Sequence, residues 1–302
     1  MIAAPFLFRN LLLVFISASC FAAVCTESAV DLRPLLSEVK NQGDRNTCNV
    51  FAATALMEYV IWKEAGETID LSEAYAYWAA KKHALDNDFL KDAYLGDDAL
   101  AGYLAVTAYR YGSMKEEEWP YGNQNWQQTH NPGCVITESG KPCMECFTGT
   151  PPAEAQVLIY RAEPVFIERD KIGEFILSEK KPVVFNIWWY SKAVDEKTGD
   201  FHMPSGYELS DRGGHVILLV GYDRESRRFL FRNSWGPGWG NNGYGTLPEE
   251  YILKHYEANQ LQDLLSQPGI SPEVKDYIIK CGQGASAKLK KNLSDGKAAQ
   301  GS

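Results

Sequence analysis

Residues 41–60 read NQGDRNTCNVFAATALMEYV, a polar, glycine-containing approach followed by a mostly apolar stretch that begins at Cys48. Apolar residues recur at helical spacing from Cys48 to Ala65, and Gly66 then provides a residue that readily ends a helix. The spacing therefore predicts a helix over 48–65 with a cysteine at its N-terminus. The N–H groups and the macrodipole of a helix N-terminus favour a thiolate, so the position suits a reactive cysteine as well as a buried one.

Helical patterns continue after this stretch, and strand-like runs follow in the second half of the chain. The sequence DLSE predicts a second helix over 70–82, with Asp70 as its N-cap and Glu73 three residues later. A third helical pattern covers 97–112. Helices that precede strands in this way indicate an α+β fold with a helical lobe, a sheet lobe and a site in the cleft between them. The strand-like runs are 156–162, 182–190, 215–223 and 228–234, with a short helix predicted at 172–179.

The two ends of the chain differ from its middle. An uncharged apolar run follows Arg9, so residues 1–23 predict a signal peptide that exports the protein to the periplasm or the medium. A buried N-terminal helix is the alternative. No later segment is long and apolar enough to predict a membrane span. Residues 257–302 predict a C-terminal extension that is partly disordered, which leaves 24–256 as the structured domain.

Charge and cysteine content narrow the classes of partner and site. The formal net charge of -9 argues against a nucleic-acid partner, which normally requires a basic surface. Export permits disulfides, and three cysteines (Cys134, Cys143 and Cys146) lie in a Gly-, Pro- and Asn-rich insertion at 123–155. Because three local cysteines lack a fourth ligand, they favour a small disulfide loop over a zinc site.

Two later segments supply the groups that a reactive thiol needs. His215 follows Gly213 and Gly214 at the entry to an apolar strand, where a rigid element would fix the imidazole and the glycines would leave one side open. Asn233 lies in RNSWGPGWGNNGYG at 232–245. Taken alone, the first segment also fits a core histidine and the second a Gly-rich turn. Neither alternative explains Asn–Ser–Trp at the end of a strand.

In that order, NQGDRNTC, GGHVILLVGYD and RNSWGPGWGNNGYG resemble the three signature blocks of papain-like cysteine peptidases. LSE at 71–73 and WPY at 119–121 match further stretches usual in that family. The resemblance covers about 31–251. It implies the papain-like two-lobe fold, in which an N-terminal helical lobe faces a C-terminal antiparallel β-sheet or barrel lobe across the active-site cleft. The residues around the cysteine look like those of bacterial members, which implies a bacterial exported protein.

The resemblance implies roles for individual residues. Cys48 matches the nucleophile, His215 the general acid–base and Asn233 the residue that orients the imidazole. Gln42 matches the side-chain donor of the oxyanion hole, and Trp235 matches the indole that shields the Asn–His hydrogen bond. The implied activity is hydrolysis of a peptide or protein substrate through a covalent thioester. No metal or organic cofactor is implied, because all of these groups belong to the protein.

The sequence also departs from the family pattern. Arg45 stands where these peptidases usually have a cysteine, so the disulfide that this cysteine makes is absent, and Asn49 replaces a tryptophan. In the substrate-binding region, LGDDA at 95–99 has one glycine and two acids instead of paired glycines. Asp97 and Asp98 are therefore candidate contacts for basic substrate side chains, with capping of the third helix as the alternative. Gly214, directly before His215, is a further candidate substrate-binding or supporting residue.

Three further hypotheses concern regulation and function. The 123–155 insertion is a candidate lid that would inhibit the enzyme by covering the cleft, and an ordinary surface loop is the alternative. A catalytically silent protein that binds peptides or a partner is one alternative function. Binding alone would not require Cys48, His215, Asn233 and Gln42 together, which argues against it. A thiol acyltransferase or amidase using the same groups is the other alternative.

Overall fold

The computed structural model describes residues 27–86, 105–106, 108–121, 148–153, 160 and 165–255. The predicted signal peptide and C-terminal extension lie outside these residues, as do most of the 123–155 insertion and all of the predicted strand at 156–162 except Tyr160. Within the described residues lie helices α1 (Cys48–Ala65), α2 (Glu73–Asp86), α3 (Ile172–Glu179) and α4 (Glu249–Lys254). The strands are β1 (Ala29–Asp31), β2 (Val183–Tyr190), β3 (Val194–Asp195), β4 (Asp200–Phe201), β5 (Arg212–Asp223), β6 (Arg228–Arg232) and β7 (Tyr244–Pro248).

Helix α1 has the predicted bounds but is buried on two sides. At its C-terminus Gly66 adopts a φ of 69°, and its N–H donates to the carbonyl of Trp62 at 2.8 Å, which closes the last turn. A helix that is apolar nearly all round belongs in the interior of a protein. One side contributes Cys48, Ala52, Ala55, Tyr59 and Val60 to a core with the sheet, and the other contributes Val50, Phe51, Ala53, Met57 and Ile61 to a second core.

The prediction that Asp70 caps the second helix is wrong. Helix α2 begins directly after Ser72, whose Oγ accepts the N–H of Tyr75 at 3.0 Å and so caps the first turn. The carboxylate of Asp70 instead lies 2.6 Å from Nζ of Lys40. Aspartate and serine can both cap a helix. Here Asp70 pairs with Lys40, and Ser72 provides the cap. The helix also extends beyond 82, where the prediction ended it.

Strand β5 is the centre of the sheet. Residues 212–219 pair with β2, residues 221–223 pair with β1, and β6 lies along the other edge. The sheet continues through β7, β4 and β3, and all pairings are antiparallel except that of β4 with β7. The sequence predicted that His215 lies at the entry to this strand. Because β5 begins at Arg212, His215 instead lies within the strand.

The two hydrophobic cores correspond to the two predicted lobes. One core includes α2 and the short 3₁₀ helix Ala108–Tyr111, and the other includes the sheet with α3 and α4. Helix α1 contributes to both. The prediction of an α+β fold with a helical lobe and a sheet lobe is therefore confirmed. Within the described residues, no helix combines the length and the apolar character needed to cross a bilayer.

Lys40 anchors the chain ahead of α1 to buried carboxylates. Its Nζ lies 2.9 Å from Oε1 of Glu73 and 3.6 Å from Oε1 of Glu58, in addition to the contact with Asp70. Burial lowers the pKa of Lys40, but the charges of Glu73 and Glu58 outweigh this effect and raise the pKa above its ordinary value. Only 4% of Glu58 and 2% of Glu73 are exposed, and burial raises the pKa of Glu73 to about 8 although the charge of Lys40 lowers it. Above that pH, Lys40 therefore compensates buried carboxylates that water cannot reach.

We expect Lys40→Met to lower the free energy of unfolding by about 3–5 kcal/mol, because it leaves buried carboxylates without their cation. Urea denaturation of the full chain above about pH 8, where Glu73 is ionised, measures this change. The double variant Lys40→Met, Glu73→Gln removes one of the stranded charges and should recover part of the loss. A loss below about 1 kcal/mol, or a double variant no more stable than the single one, would contradict this role.

Candidate active site

Cys48 is the first residue of α1, and only 4% of its surface is exposed. Helix α1 packs against β5, and one turn along the helix Phe51 and Ala52 line a small cavity together with Val216 and Asn233. The N-terminal part of α1 therefore lies against the part of the sheet that carries the predicted histidine. Among the residues that the structure describes, Cys48 is the only cysteine, and it is not in a disulfide.

The structure brings His215 and Asn233 together. Nε2 of His215 lies 2.8 Å from Oδ1 of Asn233. The same Oδ1 accepts the backbone N–H of Ser234 at 2.8 Å, which identifies it as the carbonyl oxygen of the amide. An acceptor in this place requires that the proton of a neutral imidazole sits on Nε2. The other ring nitrogen, Nδ1, then keeps a lone pair for a second partner.

Two tryptophan rings pack against His215. The imidazole centroid lies 5.0 Å from the ring of Trp235, tilted by 38°, and 4.9 Å from the ring of Trp189, which it meets at 78°. Burial lowers the pKa of His215 to about 4, although the hydrogen bond to Asn233 acts in the opposite direction. Next to an uncharged neighbour, His215 is therefore a neutral base at ordinary pH.

The side-chain amide of Gln42 is held at both ends. Its Nε2 donates to the carbonyl of Arg45 at 2.6 Å, and its Oε1 accepts the hydroxyl of Ser234 at 2.5 Å. The backbone N–H of Gln42 also donates to the carbonyl of Ser234 at 2.8 Å. The bond to Arg45 uses one of the two Nε2 protons. Because Ser234 also donates its N–H to Asn233, a single residue links Gln42 to the His215–Asn233 pair.

The remaining predicted residues differ in what the structure describes. Gly214 lies in β5 opposite Trp188 and is exposed, as is Gly213, where an added Cβ would meet nothing within 4 Å. Strand β5 therefore presents open backbone directly ahead of His215. Asp97 and Asp98, the candidate contacts for basic substrate side chains, lie outside the described residues.

Two residues that touch the site, Trp189 and Ser234, were not predicted from the sequence. The signal for Trp189 is the alternation of strand β2: Ile187 pairs with His215, and a residue two positions along points to the same face. That signal becomes readable only once the register of β2 and β5 is known. Ser234 was visible in the sequence as the neighbour of Asn233, but its bond to Gln42 joins residues that are far apart in the chain.

Comparison with known proteins gives the family. Residues 26–260 match the family model described as papain family cysteine protease, which is more than half of the chain. The chain belongs to the papain family. This membership makes it a cysteine-type peptidase and agrees with the α+β two-lobe architecture described above.

Relatives of this papain-family chain come from a virus, a plant and an animal. An uncharacterized peptidase C1-like protein of Acanthamoeba polyphaga mimivirus is 26% identical over 260 residues, which cover 83% of this chain and 74% of that protein. Ananain from Ananas comosus is 23% identical over 71% of this chain, and cathepsin K from Mus musculus is 25% identical over 70%. The chain spans only 53% of ananain and 56% of cathepsin K.

Solved structures show the same fold. Xylellain, a cysteine protease from Xylella fastidiosa, aligns with a TM-score of 0.54 at 24% identity, covering 75% of this chain and 81% of that chain. Digestive procathepsin L 3 of the Tenebrio molitor larval midgut aligns with a TM-score of 0.50 at 22% identity, covering 74% of this chain and 65% of that chain. At these identities the likeness concerns the fold alone.

The lowered pKa of His215 predicts how stability depends on pH in Cys48→Ala, which has no thiol beside the imidazole. The unfolded chain binds the histidine proton with an ordinary pKa of 6.5, and the folded chain binds it with a pKa of about 4. Because the unfolded chain holds more protons between these values, stability rises as pH rises through this window and is fully gained above it.

We expect His215 to contribute about 3 kcal/mol to that rise, measured by urea denaturation at several pH values from about 4 to 7. The control is the double variant Cys48→Ala, His215→Gln, which lacks the titrating group. Identical pH dependence in the two variants would show that His215 is not held neutral by burial.

Proposed function

We propose that this chain is an exported thiol endopeptidase in which Cys48 attacks the peptide carbonyl, His215 transfers the protons and Asn233 orients the imidazole. The observation that carries the proposal is the bond from His215 Nε2 to Asn233 Oδ1, which leaves Nδ1 for a thiol in a buried site. Gln42 is the proposed side-chain donor to the oxyanion, together with the backbone N–H of Cys48. Trp235 covers the imidazole that Asn233 holds.

Electrostatics explain how Cys48 would become nucleophilic. Burial disfavours the imidazolium of His215, and burial equally disfavours an isolated thiolate, so neither charge is stable alone. Transfer of the thiol proton from Cys48 to Nδ1 of His215 creates both charges side by side, and their attraction offsets part of the desolvation. The N-terminus of α1 adds positive potential at the sulfur. The two groups then titrate as a coupled pair.

Acylation consumes the pair. The thiolate of Cys48 forms a bond to the carbonyl carbon while the π electrons move onto the carbonyl oxygen, where Gln42 donates an N–H. When the tetrahedral intermediate collapses, the C–N bond breaks, and the proton on Nδ1 of His215 passes to the leaving amine. The products of this half-reaction are a thioester on Cys48 and a free amine.

Deacylation restores the pair. His215, now neutral, takes a proton from water as the water oxygen bonds to the thioester carbon. Collapse of the second intermediate breaks the C–S bond, releases the carboxylic acid and leaves the Cys48 thiolate beside the His215 imidazolium. Oδ1 of Asn233 accepts the hydrogen bond from the Nε2–H group throughout, so the ring keeps one orientation while its charge changes.

The substrate class and the location follow from different parts of the chain. Papain-family membership supports a peptide or protein as the substrate, and the exposed backbone at Gly213 and Gly214 gives an extended peptide access to β5 next to His215. Export is supported by the apolar run behind Arg9. The thiol chemistry needs Cys48 in its reduced form, because oxidation of a thiolate removes the nucleophile.

We expect a fluorescent epoxide probe to label Cys48 rapidly at pH values well below about 8.5, the pKa of an ordinary thiol, because the thiolate is already present. Labelling across a pH range of about 4–8 measures this. Cys48→Ser should abolish labelling, and His215→Ala should slow it.

Other outcomes would indicate other functions. Labelling that rises only near the ordinary thiol pKa would favour a catalytically silent protein that binds peptides. Rapid labelling with acyl transfer to an added amine, and without hydrolysis of peptides, would indicate an acyltransferase.

Gln42→Ala should lower kcat/KM for a peptide substrate by about 10²–10³, because an oxyanion-hole donor is lost. Asn41→Ala is the matched control, because the exposed amide of Asn41 accepts the neighbouring N–H of Gly43 and lies outside the contacts that join Gln42 to Arg45 and Ser234. The comparison uses steady-state kinetics on one fluorogenic peptide. Equal activity of Gln42→Ala and Asn41→Ala would exclude Gln42 as the donor.

A further inference from the structure

The segment 42–47, which leads into α1, is tied to a buried tyrosine. The hydroxyl of Tyr121 donates to the carbonyl of Gln42 at 2.8 Å, so its oxygen accepts the hydroxyl of Thr47, 2.7 Å away. The ring of Tyr121 meets the ring of Phe51 in α1 edge-on, with centroids 4.8 Å apart. Tyr121 therefore connects both ends of the 42–47 segment to α1, the helix that follows it.

Arg45 lies within this segment with its side chain turned inward, and only 8% of it is exposed. Its guanidinium carbon lies 4.8 Å from the ring centroid of Tyr77 and 5.2 Å from that of Tyr121. Both distances allow cation–π attraction, which strengthens when the cation is withdrawn from water. We call Arg45, Tyr77 and Tyr121 the arginine clamp.

The backbone of Arg45 connects the clamp to the proposed active site. Its carbonyl accepts Nε2 of Gln42 at 2.6 Å and the N–H of Thr47 at 2.9 Å. A displacement of this carbonyl would therefore turn the amide whose other proton is the proposed oxyanion donor. The position of Gln42 depends on where the clamp holds Arg45.

We propose that Arg45 is a positioning residue for the oxyanion step: the arginine clamp holds residues 42–47 so that the Arg45 carbonyl directs the amide of Gln42. The inference rests on the proposed function, because it takes Gln42 as the donor. Papain-like peptidases usually have a disulfide-forming cysteine at this position. Here a buried cation between two aromatic rings takes the place of that covalent tether.

Two reactions of Cys48 separate this role from a general effect on the fold. Addition to a peptide carbonyl forms an S–C bond and moves the π electrons onto oxygen, so it needs the donor Gln42. Alkylation by iodoacetamide forms an S–C bond and expels iodide, and no oxyanion forms. A residue that acts through Gln42 should affect the first reaction and leave the second unchanged.

The test compares Arg45→Met with the wild-type protein. Methionine keeps an unbranched apolar side chain but loses the cation, and we expect kcat for a peptide to fall about 10- to 100-fold with a smaller change in KM. The rate of alkylation by iodoacetamide should stay within about twofold. Arg33→Met is the matched control, because it removes an arginine 5.7 Å from the ring of Tyr244, outside the segment.

A double-mutant cycle shows whether Arg45 acts through Gln42. If it does, adding Arg45→Met to Gln42→Ala should change kcat by less than about twofold, because the donor is already gone. Effects that multiply in full, or equal losses of hydrolysis and alkylation in Arg45→Met, would overturn the proposal. If Arg45→Met does not fold, Arg45→Lys replaces it in the same cycle, since it keeps the charge but loses the planar guanidinium that contacts both rings.

Failure of the proposed function remains distinguishable from failure of this inference. If the wild-type protein is labelled at Cys48 but cleaves no peptide, the peptidase proposal fails. Hydrogen exchange at the N–H of Thr47, which bonds to the Arg45 carbonyl, then tests the clamp directly. At least tenfold faster exchange in Arg45→Met than in Arg33→Met supports the positioning role, and equal exchange overturns it.

Discussion

Helix α1 is buried between two hydrophobic cores, and the site depends on this double burial. Close-packed interiors resist displacement, so the helix cannot shift without opening a gap against the sheet or against α2. Its N-terminal residue, Cys48, is therefore held in a fixed position against β5. The strand in turn carries His215 and pairs on one edge with β2, which brings Trp189 onto the imidazole, and on the other with β6, which leads to Asn233.

Polar contacts position the residues that precede the apolar helix α1. The chain ahead of α1, from Lys40 onward, has little apolar surface to bury and is held by polar contacts. Lys40 pairs with buried carboxylates, Arg45 lies over two tyrosine rings, and Gln42 accepts a hydrogen bond from Ser234. Ser234 belongs to the same turn as Asn233, so the segment and the sheet lobe share a hydrogen-bond network. The groups proposed to attack, to transfer protons and to stabilise the oxyanion are thus positioned by one connected set of contacts.

Local signals in the sequence predicted the elements well and long-range contacts poorly. The bounds of α1, the C-terminal Gly66 and the strand at 182–190 follow from periodicity and glycine chemistry, which need only neighbours in the chain. The predicted cap of α2 was wrong because Asp70 pairs with Lys40, a residue that the local pattern does not include. Trp189 was missed because its contact with His215 depends on a strand register that no single segment specifies.

The replacement of a covalent tether by the arginine clamp has a chemical consequence for a thiol enzyme. Conditions that keep Cys48 reduced also favour reduction of a disulfide, and a disulfide near a reactive thiolate is open to exchange with it. A clamp made of a guanidinium and two aromatic rings has no sulfur to exchange and does not respond to redox conditions. Arg45 can therefore hold residues 42–47 while Cys48 remains a thiolate. The position of Gln42, the proposed oxyanion donor, is then independent of the redox conditions that the nucleophile requires.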